Sequence, residues 1–186
     1  MFNDEIAQSI LDLKEGKLIL YPTDTVWGIG CDATSEQAVQ KVYNLKNREE
    51  SKSLVILVSS MEMLKEYINE IPEKVLETLR TQDNPTTIIY NQPKGLAKNT
   101  IAIDNTIAIR IPRHDFCRKL IDEFKKPIVS TSANISGEPT PKSFSEISKP
   151  ILEGVDYIVN LEREKITEKS STILKIVGEE IEVIRA

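Results

Sequence analysis

The sequence has little of what metal and nucleophilic chemistries draw on. Of its 186 residues only one is histidine, His114, and two are cysteine, Cys31 and Cys117. A Ser-His-acid relay would have to run through His114. That residue follows Arg113 at the start of an expected helix and reads as a partly exposed structural position. The two thiols lie far apart and outside any CxxC spacing, so they read as reduced cysteines, with a single disulfide left open on sequence alone. No HExxH, no paired Cys/His ligand spacing and no EF-hand loop occurs, which argues against an all-protein metal site. The GxxxxGK[ST] phosphate loop is also missing. No apolar run nears the roughly 18–20 residues of a membrane span. The N-terminal MFNDEIAQSILDLKEGK lacks the basic and apolar stretches of a secretory signal. A cytoplasmic location with no membrane partner is therefore expected.

Positive charge is short as well: 24 Lys and Arg against 29 Asp and Glu give a net charge of −5. That argues against a protein coating nucleic acid by overall charge, and leaves room for a local basic cleft. Aromatic residues make up 5% of the chain, few for stacking on single strands. What is present is an ordinary globular composition, 40% hydrophobic and 28% charged. The length suffices for one core without disulfides or metals, so a single domain over 1–186 is expected.

Apolar periodicity alternates between helix and strand. Residues 4–15 carry Ile6, Ile10, Leu11 and Leu13 at near-helical spacing and stop at Gly16. A strand over Lys17–Tyr21 ends at Pro22. Ser35 can cap a helix to about Lys46, with Ala38, Val39, Val42 and Leu45 on one face. Leu54–Val58, apolar on both faces, reads as a central strand. Helices are expected near 60–69, 72–81 and 114–124, and strands at 86–90, 106–111, 126–130 and 156–160. The tail reads as a hairpin turning at Gly178-Glu179, and the polar stretch 91–100 as a mobile loop. The fold class is α/β with a twisted, mixed sheet.

Three polar stretches stand at the ends of these strands. Gly28-Ile-Gly30-Cys-Asp-Ala33 matches the dinucleotide pattern GxGxx[GA] literally, but Pro22 and a loop separate it from its strand, and no acid ends the next one; glycines permitting a tight turn against the sheet account for it. Lys46, Arg48 and Lys52 gather positive charge between a helix end and a central strand, where they either complement the helix dipole or meet an anion. Ser130, Ser132 and Asn134 alternate after a buried strand and share one face if extended. They can form an ST-turn with an Asx cap, or offer neutral donors to a phosphate or sugar.

Tyr21-Pro-Thr-Asp-Thr-Val-Trp-Gly-Ile-Gly30, Lys46-Asn-Arg48, Arg110-Ile-Pro-Arg-His114, Ser130-Thr-Ser-Ala-Asn-Ile-Ser-Gly137 and Ser171-Thr-Ile173 occur in this order. Together they resemble the YrdC-like family of L-threonylcarbamoyladenylate synthases, over nearly the whole chain, from about residue 5 to Arg185. The resemblance implies a twisted mixed sheet flanked by helices around a concave, positively charged cavity. It implies a nucleotidyltransferase that uses L-threonine, bicarbonate and ATP to make threonylcarbamoyl-AMP and pyrophosphate. A separate threonylcarbamoyl transferase complex would consume the product to modify the adenosine beside the anticodon of tRNA. It implies Mg²⁺ with ATP, held mainly by phosphate oxygens, and no protein metal site. Weak tRNA or double-stranded RNA binding is a further expectation.

Position by position, the resemblance puts Lys46 and Arg48 in the catalytic role of holding the triphosphate. Thr25, Arg110, Ser132 and Ser171 fall on the L-threonine side. Arg48, Lys52, Thr106, Ser130, Asn134, Lys142 and Arg185 fall on the ATP side. The chain departs from the family pattern at Glu49, where proline is common, at Gln82–Thr87 in place of a proline-glycine-proline lead, and at Trp27 in place of tyrosine or phenylalanine. Two rival readings are an RNA-binding module using the same cations and a paralogue acting on another carbamoyl or adenylate substrate, such as the domain found in hydrogenase-maturation carbamoyltransferases.

Overall fold

The computed structural model describes residues 1–50, 53–167 and 169–186. Its strands are β1 (Ile19–Tyr21), β2 (Gly28–Gly30), β3 (Val55–Leu57), β4 (Thr86–Asn91), β5 (Thr106–Arg110), β6 (Ile128–Ser132), β7 (Tyr157–Ile158), β8 (Thr172–Val177) and β9 (Glu180–Arg185). They form one sheet in the order β7-β1-β2-β6-β3-β5-β4-β8-β9. The pairs β1/β7, β3/β5 and β4/β8 are parallel and the others antiparallel, the mixed sheet that the sequence implied. The helices are α1 (Phe2–Lys14), α2 (Glu36–Lys46), α3 (Met61–Tyr67), α4 (Glu73–Thr81), α5 (Asp115–Phe124) and α6 (Lys149–Gly154). None among the described residues is long and apolar enough to cross a membrane.

Local chemistry sets these boundaries. Ser35 caps α2 by accepting a bond from the Ala38 N–H, and Asn47, at φ 51°, ends it in the left-handed conformation that asparagine tolerates. The Arg48 N–H then returns to the Tyr43 carbonyl at 3.0 Å, which turns the chain toward β3. On the other side, α1 and α5 pack together through Phe2 and Phe116, whose rings meet edge to face at 6.0 Å.

Three features differ from the expectations. The glycine stretch 28–30 is not a bare turn but strand β2, paired antiparallel to both β1 and β6. Glycine is needed there because the Tyr21 ring lies flat across it: a Cβ on Gly30 would sit 2.5 Å from Tyr21 Cε1 and 2.8 Å from the Val129 carbonyl oxygen. The 91–100 stretch, expected as a mobile loop, is tied down. The Lys94 and Ala97 N–H groups donate to the Tyr67 and Ala33 carbonyls, and the Tyr43 hydroxyl donates to the Asn99 carbonyl at 2.8 Å. Helix α6 is short, and its apolar periodicity is too brief to show in sequence.

Candidate active site

One face of the sheet carries a cavity of about 420 Å³, to which residues of β2, β3, β6, β5, β8 and β9 all contribute. The strand register explains how residues distant in sequence meet there. Gly28 pairs with Ser132, Val55 with Ser130, Leu57 with Arg110, and Thr87 with both Arg110 and Ile173. Among the sequence-predicted positions, Thr25, Arg48, Arg110, Ser130, Ser132, Lys142, Ser171 and Arg185 line this one cavity. Its described wall holds four cations, Arg48, Arg110, Lys142 and Arg185, many hydroxyls and no carboxylate. A protein of net charge −5 thus keeps a cationic concavity.

Two of the threonine-side positions, Thr25 and Arg110, are hydrogen-bonded to each other. Arg110 Nη2 donates to Thr25 Oγ1 at 3.3 Å and lies 3.2 Å from Asp24 Oδ1. The Thr23 hydroxyl donates to the Val26 carbonyl at 2.7 Å and accepts from the Thr25 N–H at 3.0 Å, which fixes the loop after β1. Since the hydrogen of Thr23 is already given to Val26, the 3.1 Å contact between the two hydroxyls has Thr25 as donor. The Thr25 oxygen keeps a lone pair toward the cavity. Arg110 Nε is buried without a hydrogen-bond partner among the described residues, a donor left over at the cavity floor. Across the cavity, Ser171 Oγ bonds to Thr87 Oγ1 at 2.8 Å, while Arg185 Nη2 donates to the Ser171 carbonyl at 2.7 Å.

Three of the expected positions fall elsewhere. Lys46 is buried at the end of α2 and is absent from the cavity wall. Its Nζ donates to the Ser132 carbonyl at 2.5 Å, the Asn134 carbonyl at 2.7 Å and Asn134 Oδ1 at 3.2 Å. An ammonium has three hydrogens, and here all three are given to the 132–134 turn. Burial, and secondarily Arg48, pulls its pKa down to about 8. Asn134 is also off the wall, with its amide donating to the Ile135 and Glu138 carbonyls and its oxygen accepting from Ser132 Oγ at 2.5 Å. Asn134 thus fixes the loop through amide-to-carbonyl bonds rather than as an Asx cap, whose oxygen would accept a backbone N–H, while Ser130 and Ser132 line the cavity. Thr106 shares the sheet face of Arg110 but lies at the other end of β5, outside the cavity wall, and donates to Asp104 Oδ1. Lys52 lies outside the described residues. Arg48 Nη2 donates to the Ser53 carbonyl at 3.0 Å, which lays the guanidinium along the rim.

Sequence reasoning missed Asp24, Thr87, Thr140, Thr167 and Ser170. Asp24 was visible between two threonines directly after Pro22. The others are short hydroxyl residues whose role comes only from strand register and from the connection before β8.

The chain was compared with known proteins. The family model Sua5_yciO_yrdC, described as "Telomere recombination", matches residues 12–186. The threonylcarbamoyl-AMP synthase of Pseudoalteromonas translucida is 35% identical over 158 residues, which cover 83% of this chain and 84% of that protein. The fold superposes on the crystal structure of Pyrococcus abyssi Sua5 complexed with L-threonine with a TM-score of 0.84 and 28% identity, over 97% of this chain and 53% of that one. It also superposes on full-length HypF in its phosphate- and nucleotide-bound form, with a TM-score of 0.84 and 25% identity. The match covers 97% of this chain but only 28% of HypF. The chain thus spans about half the length of the archaeal Sua5.

Proposed function

The chain belongs to the Sua5/YciO/YrdC family, and from that premise we propose that it is a threonylcarbamoyl-AMP synthase. The observation that carries this reading is the make-up of the cavity wall, four cations with many hydroxyls and no carboxylate among the described residues. Arg110, a buried guanidinium beside the Thr25 hydroxyl, suits an amino-acid carboxylate. Arg48, Lys142 and Arg185 with serine hydroxyls suit a polyphosphate.

In this reading the reaction is a nucleotidyl transfer. The L-threonine amine attacks the carbon of bicarbonate and water leaves, giving a carbamate; its oxygen attacks the α-phosphorus of ATP, the bond to pyrophosphate breaks and threonylcarbamoyl-AMP forms. No side chain is a covalent nucleophile. The chain's part is to hold the two reactants in line and to offset the charge building on the phosphoryl oxygens. Arg48 holds phosphate oxygens with Ser130, and Arg110 with Thr25, Ser132 and Ser171 orients L-threonine. Lys46 acts one step back, by fixing the 132–134 turn that presents Ser132. Asn134 works beside it in the same turn. The cavity wall lacks carboxylates among the described residues, and no group of three acidic, histidine or cysteine ligands occurs there or elsewhere among them. That donor set fits Mg²⁺ carried by the nucleotide's own phosphates, where it neutralises charge.

The product is a labile mixed anhydride, so a separate transferase complex that modifies tRNA is its consumer. The RNA-module reading has less support: Trp27, the one aromatic of the cavity wall, is 4% exposed and offers no stacking platform. The carbamoyltransferase reading rests on 25% identity over 28% of HypF, against 35% identity over 84% of a threonylcarbamoyl-AMP synthase. The test is pyrophosphate release by the purified protein with ATP, L-threonine, bicarbonate and Mg²⁺, with L-serine a poorer substrate. No release over varied pH and Mg²⁺, or release driven equally by carbamoyl phosphate, would overturn the reading.

A further inference from the structure

The connection from Ile158 to Thr172 has neither helix nor strand among its described residues, yet it supplies Thr167, Ser170 and Ser171 to the cavity wall. Glu162, Lys165 and Thr167 of the same strap face a small crevice against Thr25 and Trp27. The strap is anchored by backbone bonds at Val159 and Thr167 and held between them by side chains. Its Thr167 N–H donates to the Lys142 carbonyl at 2.8 Å, and Arg163 lies 4.6 Å from the centre of the Phe144 ring. Phe144 in turn packs on Trp27, with ring centres 5.0 Å apart. At its bend, Glu162 adopts φ 51°, a conformation that a non-glycine residue keeps only when its surroundings hold it.

What holds Glu162 is a pair of cationic or ionisable partners. Its Oε1 lies 3.0 Å from Nε2 of the buried His114, and its Oε2 accepts from Lys165 Nζ at 2.8 Å. Although burial opposes it, the bond to Lys165 and the closeness of His114, which is in ion-pair range but not aligned as a hydrogen bond, hold the Glu162 carboxyl below its usual range. His114 stands at the N-terminal boundary of α5, without a side-chain capping bond, four residues beyond Arg110. The preceding Arg113 N–H donates to Asp24 Oδ2 at 3.1 Å, and Asp24 pairs with Arg110. One short stretch, 110–114, therefore anchors both the floor of the cavity and the strap over its side.

We propose that Glu162 is a positioning residue. Through His114 it seats the strap against the Thr25 loop, and L-threonine in the cavity tightens that seat by bridging the Arg110 floor to the Ser171 wall. This rests on the synthase reading for the identity of the ligand. A strap held between its backbone anchors by side chains can loosen without disturbing the sheet, as the least stable parts of a fold do. The sole histidine of the chain thus gains a role that no relay mechanism requires.

The experiment compares the wild type with Glu162→Gln, Glu162→Asp and His114→Gln. Trp27 is the one tryptophan of the sequence, so its emission reports on the cavity, and trypsin cleavage after Arg163, Lys165 and Lys169 reports on the strap. In the wild type, L-threonine should shift the emission and slow cleavage. Glu162→Gln and His114→Gln should both cleave faster without ligand and raise the KM for L-threonine roughly tenfold, with kcat within about threefold. Glu162→Asp should recover part of the KM. Wild-type cleavage and KM in Glu162→Gln, or a loss of kcat at unchanged KM, would overturn the proposal. A wild type that releases no pyrophosphate ends the synthase reading instead; ligand-free cleavage of the variants still decides the strap.

Discussion

Arg110 Nη2 lies 3.2 Å from Asp24 Oδ1, with the two side chains only 5% and 6% exposed. Asp24 also accepts the Arg113 N–H through its other oxygen at 3.1 Å, so one carboxylate joins the loop after β1 to the end of β5. Removing it leaves a guanidinium with its charge unmatched at the cavity floor. Breaking an enclosed pair costs about 3–5 kcal/mol, and Asp24→Ala should cost about 2–3 kcal/mol because the cavity lets water reach Arg110. The urea midpoint should fall accordingly, and the KM for L-threonine should rise more than that for ATP. An unchanged midpoint would show that the pair does not hold the loop.

Lys46 gives a pH dependence in which stability and activity part company. Its pKa in the folded protein is drawn down to about 8 by burial and by Arg48, whereas an unfolded lysine keeps its proton to about 10.4. Between those values the unfolded chain binds more protons than the folded one, so this group's contribution to stability rises with pH. Below both values it is flat. The neutral amine, however, has two hydrogens for three acceptors, and the 132–134 turn loosens. Pyrophosphate release should therefore decline above pH of about 8 while the urea midpoint does not decline with it. A parallel fall of both quantities would remove Lys46 as the cause.

The two glycines of β2 separate fold from site. A Cβ on Gly30 meets Tyr21 Cε1 at 2.5 Å and the Val129 carbonyl oxygen at 2.8 Å, both fixed in the core. Gly30→Ala should cost about 1–3 kcal/mol, as overpacking does. A Cβ on Gly28 meets Ser130 Oγ at 3.3 Å and Thr23 Cγ2 at 3.5 Å, on the cavity side. Gly28→Ala should stay within about 1 kcal/mol of wild type yet lose activity by crowding the wall. Thermal unfolding and pyrophosphate release read the two effects; the reverse order would mean that Gly28, not Gly30, is the tightly packed position and that it does not border the cavity.

Strands such as β3 and helices such as α2 were legible because their apolar periodicity and caps are local. Strand β2 was not, because two glycines with an isoleucine carry no alternation, and its reason lies in the Tyr21 ring above it. The cationic cavity was legible only as scattered motifs; register brings Ser132, Ser130 and Arg110 together across three strands. Lys46 shows where motif reading stops. A lysine next to a phosphate-binding arginine reads as a phosphate ligand, and only its three carbonyl and amide acceptors reveal a turn-fixing role. Thr106 shows another limit: the resemblance put it on the ATP side, and it shares the sheet face of Arg110 but lies at the other end of β5.

Arg48 offers the sharpest separation of binding from scaffolding. It sits just past the left-handed end of α2, where an arginine also complements the helix dipole. If that were its whole contribution, Arg48→Ala would cost a few tenths of a kcal/mol in stability and nothing in ATP dependence. If its guanidinium meets phosphate oxygens, the loss is a charge-assisted bond of about 1.5–3 kcal/mol, or roughly ten- to a hundredfold in kcat/KM for ATP. Arg48→Lys should recover part of that, since it restores the charge but not the planar fork, and the remaining deficit should lie in kcat because alignment, not attraction, is what the fork adds. Full recovery by lysine would reduce Arg48 to a point charge at the rim; no loss in Arg48→Ala would take the phosphates away from this wall.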